Sequence, residues 1–201
     1  AEFEVLQAQI NPHFLYNTLD SIVWLAEMGR DGDVINMVTS LSVFFRNSLS
    51  KGRDIITIEE EKNQVKSYLE IQKIRYSDIL DYEINIPESL LAYVTPKLVL
   101  QPLVENAIYH GIKHKRRTGK IIVYAEEKGN ELFLHVADNG IGMAPVQLEA
   151  LRSGLYNHEG LGLINVHKRI SLLCGVGYGL SFGLAEGGGT TVTIKLPKKF
   201  N

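Results

Sequence analysis

Apolar residues recur at helical spacing through the first fifty positions, and the recurrence breaks once. Leu6, Ile10, Phe14, Leu15, Leu19, Ile22, Val23 and Trp24 leave almost no side of a first helix polar. Gly29-Arg30-Asp31-Gly32 is a turn cluster, and Val34, Met37, Val38, Leu41, Val43, Phe44, Phe45 and Leu49 mark a second helix returning antiparallel. Two helices cannot bury that much apolar surface between themselves. The pattern therefore predicts a homodimer in which two hairpins form a four-helix bundle. After a break at residues 51–54, Thr57 and Glu60 have capping-box spacing and open a helix to about Tyr76. The period then changes from helical to alternating, with Leu80, Tyr82, Ile84 and Ile86 on one face of a strand that ends at Pro87. The change sets a domain boundary near residue 78: a helical domain over 1–78 and a mixed domain over 79–201.

Within the mixed domain, Leu100, Leu103, Val104 and Ala107 form the apolar stripe of a helix over 98–113. Strands are predicted at about 120–127 and 131–137, joined by Gly129-Asn130, a hairpin signal. A glycine-bearing stretch over 140–162 contains a short helical piece near 145–152. A helix over 161–173 follows, then strands at 179–184 and 190–196 flanking Glu186-Gly187-Gly188-Gly189. Hairpins with helices between them predict an α+β fold, with one antiparallel or mixed sheet and its helices on a single face.

Composition narrows the class. The chain has 201 residues, 45% hydrophobic and 22% charged, enough apolar material for a core. A net charge of −2 gives no electrostatic case for nucleic acid or an anionic membrane as partner. The single cysteine, Cys174, cannot form an internal disulfide and reads as an inert thiol in a reducing compartment. There is no apolar run long enough to span a membrane and no signal peptide, so the piece is expected to be cytoplasmic. It opens abruptly on helical sequence and reads as part of something longer.

Several positions could carry chemistry. Asn106, His110 and Lys113 fall on a second arc of the 98–113 helix. An amide oxygen there can ligate Mg²⁺, while an imidazole and an ammonium can meet phosphate oxygens. Such an arc is ordinarily only the solvated side of a helix. Asp138 continues the core-facing row of Leu132, Leu134 and Val136, a costly place for a carboxylate unless it is hydrogen-bonded. The exocyclic amine of a base is a fitting partner, and Gly140 and Gly142 would let the backbone approach a flat ring; a self-capped turn is the alternative. Gly160-Leu161-Gly162-Leu163 runs straight into a helix, so backbone N–H groups there can face phosphate. Thr190 and Thr191 follow three glycines in what is a tight hairpin or a hydroxyl source near the base. His110 and His114 have zinc spacing, but no glutamate separates them as in HExxH and no third ligand is evident.

Taken in order, Asn-x₃-His, Asp-x-Gly-x-Gly, Gly-x-Gly before a helix and a Gly-Gly-Thr hairpin resemble the ATP-binding boxes of the GHKL (Bergerat) α/β sandwich. That fold is shared by gyrase, heat-shock and mismatch-repair ATPases and by histidine kinases. The resemblance implies ATP and Mg²⁺ as cofactors, with Asn106 coordinating the metal, Asp138 binding the adenine amino group and residues 140–162 closing over the triphosphate. Residues 6–17, LQAQINPHFLYN, resemble the phosphoacceptor segment of LytS-type sensor histidine kinases. The run YLEIQKIRY at 68–76 and QPLVENA at 101–107 are similar to that family too. This implies that His13 accepts the γ-phosphoryl group and passes it to an aspartate of a response regulator. A membrane-anchored sensor region is implied for the full-length protein.

Imidazole titrates near neutrality and offers one ring nitrogen as nucleophile. Pro12 either starts a helix at its first position with Asn11 as cap, or kinks a longer one. Many histidine kinases carry an acid directly after the phosphoacceptor; here it is Phe14, and Asn17, one turn on, is the candidate to orient the ring. The hydrolysing ATPases of the fold place a glutamate four residues before the metal-binding Asn. That position is Pro102, and Glu105, the nearest carboxylate, stands about 100° round the helix from Asn106. Phosphoryl transfer is expected over hydrolysis, with a GHKL-type ATPase or a silent nucleotide-binding scaffold as alternatives. The sequence names neither the stimulus nor the regulator, nor whether transfer stays within one subunit.

Overall fold

The computed structural model describes residues 11–49, 52–112, 118–145, 149–150 and 161–199. Helix α1 (Pro12–Glu27) starts at a proline that needs no N–H partner, with the Asn11 side chain accepting the His13 N–H at 3.0 Å. Of the two expectations for Pro12, the capped start is the one observed. The chain turns at Gly29, whose φ of 69° suits glycine, and returns as α2 (Asp31–Leu49). Strand β1 (Ile55–Thr57) leads into α3 (Ile58–Arg75), opened by the full capping box of Thr57 and Glu60.

The mixed region continues through β2 (Leu80–Asn85), a 3₁₀ turn (Glu88–Leu90), β3 (Val94–Pro96) and α4 (Leu100–Asn106). A π-helical segment (Ala107–Ile112) follows, then β4 (Gly119–Lys128), β5 (Glu131–Asp138), α5 (Leu161–Cys174), β6 (Gly179–Leu184) and β7 (Thr190–Pro197). Five strands make one mixed sheet in the order β2-β4-β5-β7-β6, in which only β2–β4 is parallel. Its buried face carries Ile121, Val123, Leu132, Leu134, Val136, Val192, Ile194 and Leu196. Alternation along each strand leaves the other face half-exposed, so the helices cover one side, as α+β patterning requires. A separate two-stranded ribbon pairs β1 with β3, Ile55 opposite Pro96. Strands this short carry too little alternation to be visible in the sequence.

The hydrophobic core is continuous from Phe14 to Leu196. Helix α3 is its hinge point. Tyr68 meets Phe14 at 5.0 Å and Phe44 at 6.4 Å between ring centroids on the hairpin side, while Val65, Leu69 and Ile71 are fully buried. The change of pattern near residue 78 therefore marks a change of architecture without a gap in the packing.

The helix expected over 98–113 is not continuous. Its α-helical part ends at Asn106, and the next six residues wind as a π-helix. A π turn takes up an extra residue, so i, i+4 spacing no longer stacks side chains across it. The stripe of Leu100, Leu103, Val104 and Ala107 is nonetheless buried throughout, because most of it precedes the change.

Candidate nucleotide and phosphoacceptor sites

Asp138 ends the buried row of β5 and is 6% exposed. Its Oδ1 accepts the Gly140 N–H at 2.9 Å and the Thr190 N–H at 3.5 Å, the compensation that a carboxylate at this depth requires. Pairing of Ala137 with Thr191 places Thr190 beside Asp138 and turns Thr191 to the opposite face of the sheet. Of the two threonines in the sequence expectation, only Thr190 shares the buried face.

Backbone surrounds this carboxylate. A Cβ on Gly111 would stand 2.7 Å from Oδ1 of Asp138, and one on Gly189 would stand 1.7 Å from its carbonyl oxygen. A Cβ on Gly140 would lie 2.4 Å from the Gly111 carbonyl, and Gly142, at φ 73°, would put one 2.4 Å from the Gly188 oxygen. The demand for glycine at 140 and 142 is thus set by the protein's own backbone: the π turn on one side and the β6–β7 turn on the other. Gly189 belongs to the Gly-Gly-Thr hairpin expected from the sequence, whereas Gly111 was not among the expected site residues. The available signal was a glycine inside an otherwise helical pattern, which marks a close approach. Asn139 serves another purpose, its Oδ1 accepting the Lys120 N–H at 2.6 Å and fixing the start of β4.

Asn106 is half-buried at the last α position of α4, and among the described residues its amide has no hydrogen-bond partner. His110 is exposed within the π segment, so the common arc expected for Asn106, His110 and Lys113 from α spacing does not follow; Lys113 lies outside the described residues. Gly160 and the side chain of Leu161 also lie outside them, as does much of the short helix expected near 145–152. At the start of α5, Gly162 is exposed with open space where a Cβ would stand. Leu163 is 3% exposed, so its side chain belongs to the core and only its backbone can serve a ligand. No group of three His, Cys, Asp or Glu gathers among the described residues, and His114 lies outside them.

A half-buried amide oxygen without a partner suits a hard cation that keeps most of its waters. An acceptor carboxylate ringed by glycine backbone suits the amino edge of a flat base. The donor set thus fits a magnesium–nucleotide group.

His13 lies in the first turn of α1, exposed, with the positive end of the helix dipole beneath it. The Asn17 amide nitrogen sits 3.0 Å from its Nδ1 and 3.4 Å from Nε2. Phe14 is 4% exposed and packed with tilted rings against Phe44 and Tyr68, which explains why no acid follows the histidine: that position faces the core. Glu105 accepts a hydrogen bond from the Gln101 amide at 3.0 Å, and burial pushes its carboxyl above the usual range. Pro102, in the opening turn of α4, costs that helix nothing and offers no base.

Two family models match the chain: histidine kinase over residues 1–80, and histidine kinase-, DNA gyrase B- and HSP90-like ATPase over residues 94–199. The chain is 40% identical over 196 residues to the sensor histidine kinase YesM of Bacillus subtilis, covering 98% of this chain and 33% of that one. It is 35% identical over 205 residues to the sensor protein LytS of Streptococcus agalactiae, covering 99% and 34%. It therefore spans about a third of the length of these relatives. Among solved structures, the catalytic domain of histidine kinase ThkA superposes with a TM-score of 0.57 at 22% identity, over 73% of this chain and 97% of that one. A complex of ThkA with the response regulator protein TrrA superposes at 0.54 and 18% identity, over 83% and 49%. At these identities the structures speak for the fold.

Proposed function

The chain belongs to the sensor histidine kinases, and from that membership we propose that it is a kinase core that phosphorylates its own His13 with MgATP and hands the phosphoryl group to a response regulator. The observation that carries the proposal is His13 itself: an exposed imidazole in a capped first turn, held by Asn17, on a chain whose other half encloses Asp138 in glycine backbone.

Bound Mg²⁺ would supply charge neutralisation on the phosphate oxygens. Asn106 would hold it, and Asp138 would accept from the base amino group. A ring nitrogen of His13 donates its lone pair to the γ-phosphorus, the bond to the bridging oxygen breaks, and ADP leaves with that electron pair. The Asn17 amide, rotated end for end, presents its oxygen to an Nδ1 proton and leaves the lone pair on Nε2. Transfer to an aspartate carboxylate of the regulator then restores the neutral imidazole. ThkA, whose complex contains a response regulator, supports that partner by likeness of fold.

The exposed apolar side chains Tyr16, Leu19, Val23 and Trp24 on α1, with Ile35 and Val38 on α2, support a homodimer through the hairpin. No helix among the described residues is long and apolar enough to cross a membrane. An anchored sensor region in the full-length protein rests on the family alone.

The test is incubation with γ-labelled ATP and Mg²⁺, followed by acid and alkali treatment of the labelled protein. Acid-labile, alkali-stable label that is lost in His13→Gln supports the kinase. Free phosphate without protein label would point to an ATPase, and bound ATP with neither product to a scaffold.

A further inference from the structure

Helix α4 begins without a capping side chain. Val99, at its N-cap position, has helical φ and ψ of −98° and −33°, and Leu98 before it is the one non-glycine at positive φ among the described residues, 54°. The missing cap comes from another helix. Glu61 of α3, 1% exposed, accepts the Leu98 N–H at 2.9 Å on Oε2, and those of Val99 at 2.7 Å and Leu100 at 2.9 Å on Oε1. A carboxylate here satisfies orphan N–H groups and meets the positive end of α4. On the other side of the same residue, Arg169 of α5 donates from Nη2 to the Leu98 carbonyl at 2.7 Å. One turn along α3, Gln64 donates to Gln101 of α4 at 3.2 Å, a second tie in the same direction.

Both backbone groups of a strained leucine are thus held by charged side chains from two helices. Asn106 stands at the far end of α4, and α5 begins beside Gly162. We infer that Glu61 is a positioning residue for nucleotide binding: by holding Leu98 left-handed it sets α4 against α5, and so sets Asn106 relative to the phosphate-facing end of α5. The role rests on the MgATP reading above. It also gives α3, packed through Tyr68 on the residue next to His13, a rigid connection to both nucleotide-facing helices.

The test measures ATP dissociation constants on the whole chain, with Mg²⁺ and with EDTA, for wild type, Glu61→Gln and Glu61→Gln/Leu98→Gly. A glutamine presents an N–H where Leu98–Leu100 already present three. The expected loss is about tenfold in MgATP affinity, the size of effect seen when a metal ligand loses its support, with the EDTA value unchanged. Glycine takes positive φ without strain, so the double variant is expected to recover most of the loss. A purely structural role would lower both affinities together and show no rescue. Should Glu61→Gln lack a cooperative melt, Arg169→Lys is read instead, with an expected loss of about threefold from the broken planar donor. Unchanged MgATP affinity in a folded variant, an equal loss under EDTA, or no rescue overturns the role. A wild-type chain that binds ATP under neither condition overturns the nucleotide reading itself, and the role with it.

Discussion

One methyl group added at Gly111 would put a carbon 2.7 Å from the Asp138 carboxylate, and the side chain would have to move. Gly111→Ala is expected to fold with a loss of about 1–3 kcal/mol, the usual cost of overpacking, and to bind ATP far more weakly than the loss of stability explains. Calorimetric titration beside a thermal melt separates the two. An unchanged ATP affinity would remove Asp138 from the base-binding role. Gly189→Ala presses on a carbonyl that cannot swing away, so it should cost more stability than Gly111→Ala. Asp138 was legible in the sequence because a strand has period two. Its ring of glycines was legible except at one position. Gly140 and Gly142 lie next to it in the chain and Gly189 stands in the Gly-Gly-Thr hairpin, whereas Gly111 reaches it only through tertiary packing.

Local signals between neighbouring residues survived intact: the Asn11 cap, the capping box of Thr57 and Glu60, and the break at Gly29. The π segment did not show, because six residues are too few to separate its period from that of an α-helix. Glu61 was hidden in the run Glu59-Glu60-Glu61, which reads as a charged first turn. The structure gives the three different fates: exposed, in the box, and buried beneath Leu98. A comparable chain joins α2, α3 and α4, from Ser48 through Gln64 and Gln101 to Glu105. Burial raises the Glu105 carboxyl from 4.5, so the folded protein keeps this proton to higher pH than the unfolded chain does. Its contribution to stability is full below pH 4.5 and falls as pH rises through the folded value. Glu105→Gln does not titrate and can still accept from Gln101. Its melting temperature should therefore gain on wild type from pH 4.5 upward and then level off. A gain that shrinks with pH would reverse the assigned direction.

The hairpin leaves Trp24 53% and Val23 57% exposed on a face that nothing in the chain covers among the described residues. If a second copy covers it, Trp24→Glu should give a monomer in sedimentation experiments while leaving MgATP affinity intact, since α4 and α5 lie apart from that face. A dimer that survives the change would put the interface elsewhere. Bulk apolar surplus was readable from the sequence; the unbroken core through α3 was not, because patterning reports on elements and not on what they share. The parallel pairing of β2 with β4 adds a consequence in time. On the ribosome, α3 and β2 emerge well before β4, β2 has no other partner in the sheet, and the acceptor groups of Glu61 meet their N–H donors only once α4 has been made. The hairpin of α1 and α2 is therefore complete before Glu61 meets its donors, and β2 waits unpaired in the sheet until β4 follows.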